Sequence, residues 1–193
     1  MIEGKRTEAM ENESGLLVAL MFVTILTMGI GNLLVFLSQK IQQAGWPRQN
    51  PLQTVWLLIL LLISFDMFWH ALNFLTVENW SFPGFLYVVS GASVLFFVTT
   101  NIPTLDGQVT TEDRESITRS NRLFFILLAC FLVWLTLLIH YFDGTDSIGL
   151  LARMVCIGVL ILMMFVPSPR IYRTGTTVAG ICVALLLASE AFA

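Results

Sequence analysis

The chain has 193 residues, 56% of them hydrophobic and only 12% charged, with a mean hydropathy of +0.82. A soluble domain carries about 25% charged residues, so this composition is too poor in charge to cover a globule in water. The formal net charge of −3 brings no basic stripe, and nucleic-acid binding and intrinsic disorder are excluded with it. The partner such a chain requires is a lipid bilayer.

A helix crosses the hydrocarbon core with roughly 20 apolar residues. Six stretches qualify: Gly15–Ser38, Leu52–Leu75, Phe82–Thr100, Arg122–Phe142, Ser147–Val166 and Ile171–Ala191. The short alternating segments of a membrane β-barrel are absent. The expected fold is therefore all-α, a polytopic bundle of six transmembrane helices. Ahead of it, the polar tail Met1–Ser14 sets Glu3, Glu8, Glu11 and Glu13 against Lys5 and Arg6 and is expected to be loosely ordered. The first span is too long for the apolar core of a cleavable signal peptide.

The prolines mark boundaries. Pro47 and Pro51 precede the second span, Pro83 opens the third, Pro103 follows it, and Pro167 and Pro169 divide the fifth from the sixth. None sits mid-span, where it would kink a helix. The sizeable loop is 101–121. Asn101–Gln108 reads as a turn, and Thr111-Glu112-Asp113 as a helix start, with acids suited to the positive end of the dipole. The fourth helix is thus expected to begin near Thr111 and project from the membrane as a solvated extension.

Orientation follows from the basic residues. Lys5, Arg6 and Arg153 fall on one side; Lys40, Arg48, Arg114, Arg119, Arg122, Arg170 and Arg173 fall on the other. The second side is expected to be cytoplasmic, and both termini outside. Trp46 and Trp56 would lie near the inner boundary, Trp69 and Trp80 near the outer one. The outer loops carry Glu78, Asp143 and Asp146 without a basic residue. Short loops and compact size suit a bacterial inner membrane.

Ionisable residues inside a span are costly and point to function. Asp66, His70 and Asn73 stand at i, i+4 and i+7, on one helix face. His140, Arg153 and Glu190 fall in the same outer half of the bundle. As a polar pocket, Asp66 and His70 would bind or exchange, Asn73 would orient a ligand or water, and Arg153 would be the counter-charge of Asp66. As a structural network, Asp66 and Arg153 would neutralise one another while the rest bond across helices or snorkel.

Metal chemistry has two weaker outlines. Asp66, His70 and His140 could share one ion, but His70 and His140 differ in depth by roughly 5 Å. Cys130, Cys156 and Cys182 lie near mid-depth on three successive helices, and three thiols could hold a soft ion. Thr176, Gly180, Ala184 and Ala188 form a small-residue stripe that admits a close helix neighbour, and Gly29 and Gly31 do similar work in the first span. The deep lysine of a retinal protein, the arginine ladder of a voltage sensor and the usual catalytic fingerprints are all missing. No cofactor is implied.

The functional reading is non-enzymatic: an outward polar pocket handling a proton, ion or small solute. The alternatives are an accessory subunit of a larger membrane complex or homo-oligomer, and a metal- or redox-cofactor protein.

Overall fold

In a computed structural model the backbone is described for residues 2–42, 50–77, 80–103, 113–142, 147–166 and 168–191. Side chains are described from Ser14 to Leu75 outside the first loop, then for 77, 80–103, 118–140, 149–166 and 168–188. Trp46, Pro47, Arg48, Glu78, Thr111, Glu112, Asp143, Asp146 and Pro167, on which boundary and orientation expectations drew, lie outside these residues.

Among the described residues the α-helices are α1 (Ile2–Ile41), α2 (Pro51–His70), α3 (Phe82–Thr100), α4 (Asp113–Phe142), α5 (Ser147–Phe165) and α6 (Pro169–Ala191). Five are long and apolar enough to cross a membrane, and Gly149–Phe165 in α5 is a shorter apolar helix. The chain is an all-α, multi-pass membrane protein.

Two boundaries differ from the sequence expectation and a third agrees with it. The tail does not stop short of the first helix: α1 continues back to Ile2, as the run of good helix formers (Glu, Lys, Arg, Ala, Met) allows. The second span is not one helix. It tightens after His70 into a 3-10 segment, Ala71–Thr76. The fourth helix is described from Asp113, two residues from the expected Thr111 and well before its apolar part, as the sequence led one to expect.

Local chemistry sets the other ends. Pro51 and Pro169 open α2 and α6, where a missing N–H costs nothing. Ser81 caps α3, its hydroxyl accepting from the Gly84 N–H at 3.2 Å. Asn101 ends α3 with a backbone bond to Val98.

Neighbouring helices close into a ring in the order α1, α3, α4, α5, α6, α2 and back to α1. The ring encloses side chains rather than a pore. From opposite sides, Trp56 on α2 meets Phe124 and Phe125 on α4 edge-on, at 5.3 and 6.0 Å between ring centres. Leu60, Phe131 and Leu160 fill the space beside them, each at most 1% exposed. Each aromatic side chain buried here removes 150–250 Å² from its surroundings (a general range for Phe, Tyr and Trp), and such packing is what holds helices together in lipid.

Two further clusters tie the walls. At one end Phe74 of the 3-10 segment sits between Phe22 of α1 and Trp80, and the Trp80 indole donates to the Phe74 carbonyl. Between α3 and α4, Tyr87 and Trp134 bond reciprocally: the phenol donates to the Trp134 carbonyl at 3.0 Å and the indole N–H to the Tyr87 carbonyl at 2.8 Å. The indole lies where a Cβ on Gly91 would have to be.

Candidate functional site

The ends of the bundle differ in chemistry. The end at which α2 finishes holds Asp66 and His70, each 19% exposed in its side chain. The opposite end carries Lys40, Arg119, Arg122, Arg170 and Arg173. His70 Nδ1 lies 3.0 Å from the Asp66 backbone carbonyl and 3.7 Å from Asp66 Oδ1. A carbonyl can only accept, so Nδ1 carries a hydrogen.

By helical period Asp66 and His70 fall on the same flank of α2 as Ile59, the residue that lies against Gly180 of α6. Contacts between α2 and α6 fix a parallel register: the Trp56 indole donates to Thr176 Oγ1 at 3.0 Å, and Ile59 lies next to Gly180. Carried along both helices, that register sets position 190, a glutamate, level with His70. Thr176 and position 190 share a face of α6 by helical period. The side chain of Glu190 is outside the described residues.

The remaining outer-half residues do not converge on this pair. Asn73 is exposed and His140 is exposed on α4, across the ring from α2. Arg153 is buried on α5 at 4% exposure and is held by an interaction of its own. Its expected pairing with Asp66 is not among the ion pairs of the described residues, where the partner of Asp66 is His70. The reason is position in the ring. Arg153 and Asp66 stand at nearly one depth, but α6 separates α5 from α2.

Neither metal outline forms. Among the described residues no group of three or more His, Cys, Asp or Glu side chains converges on a common point. Cys130 is exposed while Cys156 and Cys182 are buried, because position 130 falls on the outward face of α4. The small-residue stripe also divides. Thr176 is buried and Gly180 half-buried, but Ala184 and Ala188 are exposed. A four-residue step advances about 40° per repeat around a helix of 3.6 residues per turn, so the stripe drifts off the α2 seam. Ala179 and Val183 continue that seam instead. In α1, Gly29 approaches Phe96 and Thr99 of α3, while Gly31 faces open space.

Sequence reasoning missed the polar interior at the basic end. Gln53, Thr99 and Asn121 are buried there, beside Thr176 of the packing stripe. The Gln53 amide donates to the Pro103 carbonyl at 3.2 Å, tying α2 to the end of α3. A signal was present: Gln53 stands three residues before Trp56, and Asn121 three before Phe124, on core-facing helix positions. A cleft of about 310 Å³ between α1 and α3 opens beside this group, lined by Asn32, Gln39, Thr99 and Thr100.

The chain matches no protein-family model, no curated protein and no solved structure.

Proposed function

We propose that this chain is a non-enzymatic, proton-responsive membrane protein whose α2–α6 seam carries the responsive groups. The carrying observation is Asp66 and His70 at 3.7 Å, both largely shielded, in a helix with no other acidic or basic side chain. Protonating His70 replaces a lone carboxylate with an ion pair, in surroundings where charge is weakly screened. Because helical period puts the pair on the flank of α2 toward α6, the same event changes the packing between the two helix ends. A proton is the ligand this pair suits, because an imidazole and a carboxylate in contact exchange protons through their own ring nitrogen and oxygens.

The test places spin labels at exposed Leu72 and Leu185 in a Cys130→Ser, Cys156→Ser, Cys182→Ser background. Their separation in nanodiscs is read across about pH 5 to 8, the range in which imidazole changes charge. The expected distance distribution shifts with pH in the parent and stays fixed after His70→Gln or Asp66→Asn. A parent that does not respond, or variants that respond equally, refute the reading.

A second reading, an accessory subunit, draws on the helical segment of α1 ahead of the apolar stretch that begins at Ser14. A short helix alone in water is marginal, and a partner would stabilise it. Co-purification of a stoichiometric protein that is lost on deleting residues 2–12 is the outcome expected there.

A further inference from the structure

A second cleft, of about 220 Å³, opens along the α5–α6 seam at the basic end. Its walls are Val159, Leu162, Met163, Ile171, Gly175 and Val178, and its polar contributions come from Arg170 and Thr174. Gly175 lets the two helices close on one another. The Met163 thioether lies where a Cβ on residue 175 would be, so α5 and α6 approach closely and their flanks splay into a trough. Met163 is flexible and polarizable, a floor that adapts to an irregular apolar occupant.

The mouth of the trough is cationic. Arg170 and Arg173 are three residues apart at the start of α6, on neighbouring faces, and both are exposed. Among the described residues no carboxylate pairs with either guanidinium. An apolar trough running from mid-helix to an exposed guanidinium at the membrane boundary has the polarity of a lipid molecule: acyl chain inward, anionic headgroup at the arginine.

We propose that the α5–α6 trough binds one anionic phospholipid, with an acyl chain over Gly175 and Met163 and the phosphate at Arg170, supported by Arg173. Guanidinium suits phosphate through its paired N–H donors. Basic pockets between transmembrane helices bind anionic headgroups by the same logic. The site is independent of the Asp66–His70 pair, which lies at the other end.

Native mass spectrometry of the detergent-purified full chain tests this, with phosphatidylglycerol and phosphatidylcholine of identical acyl chains added in turn. The expected result is one retained phosphatidylglycerol. Its preference over phosphatidylcholine should fall about fivefold for each guanidinium removed, in Arg170→Gln and in Arg170→Gln with Arg173→Gln. Val178→Phe, which narrows the trough without touching the arginines, should weaken both lipids; Gly175→Leu is the more severe version. Equal binding of the two lipids by the parent overturns the proposal. So does a preference that survives the double glutamine variant, or glycerol phosphate competing as strongly as the intact lipid. A second copy of the chain cross-linking through Val159 would show a protein occupant and would also overturn it.

Discussion

Adding one methyl group at Gly91 tests the α3–α4 packing directly. A Cβ there meets the six-membered part of the Trp134 indole. That ring is not free to slide, because its N–H donates to the Tyr87 carbonyl at 2.8 Å and its other side packs on Phe131 at 5.7 Å. Overpacking a filled core costs about 1–3 kcal/mol. An interhelical hydrogen bond in a membrane protein contributes about 0.6 kcal/mol, and moving the indole forfeits it. Gly91→Ala is therefore expected to destabilise the fold by about 2–4 kcal/mol, the sum of these two effects. The assay is reversible unfolding in mixed micelles, followed by helix content, for the parent, Gly91→Ala, Trp134→Leu and the double variant. In the Trp134→Leu background the space is open, and Gly91→Ala should cost under about 0.5 kcal/mol, the usual range for a substitution without a clash. An equal cost in both backgrounds would refute the reasoning, because the penalty would not then come from the indole.

Gly175→Ala presents a milder case. The atoms in the way belong mainly to the flexible Met163 side chain, with Val159 Cγ1 behind it at 3.3 Å; Met163 can turn aside, so the same unfolding assay should give a cost at the low end of the roughly 1–3 kcal/mol range for overpacking. Trp56→Phe and Thr176→Val each remove the buried indole–hydroxyl bond; their double-mutant cycle should yield a coupling of about 0.6–1.7 kcal/mol, and zero coupling would deny the contact. A lipophilic maleimide should modify Cys130 in the folded protein while Cys156 and Cys182 stay protected until unfolding, as read by intact mass. Gln53→Leu leaves the Pro103 carbonyl without its donor and should increase proteolytic cleavage in the loop after α3.

The helical spans were legible because lipid leaves a chain few choices: every backbone polar group must be satisfied inside its own segment. Long apolar runs between prolines thus reveal the helices directly. What each helix presents to its neighbours was much less legible. Depth can be counted from a span end, and it correctly separates Asp66 and His70 from the basic end. Azimuth depends on which helices become neighbours, and neither composition nor loop length states that α6 stands between Arg153 and Asp66. The Thr176–Ala188 stripe failed for a related reason, since a strict four-residue period is not the period of an α-helix. Gln53 and Asn121 were overlooked because an uncharged amide does not stand out at a span end, although both fall on core-facing positions.

The closure of the ring has a consequence for synthesis. The seam between α2 and α6 joins residues 120 positions apart, as the Trp56–Thr176 bond records. A ribosome adding 5–20 residues per second needs roughly 6 to 24 seconds to travel that distance. For that interval the α6-facing flank of α2, with the Trp56 indole, Asp66 and His70, stands in the bilayer without its neighbour. A chain truncated before α6 keeps that polar flank uncovered permanently, which gives cellular quality control a chemical mark by which to tell an unfinished ring from a closed one.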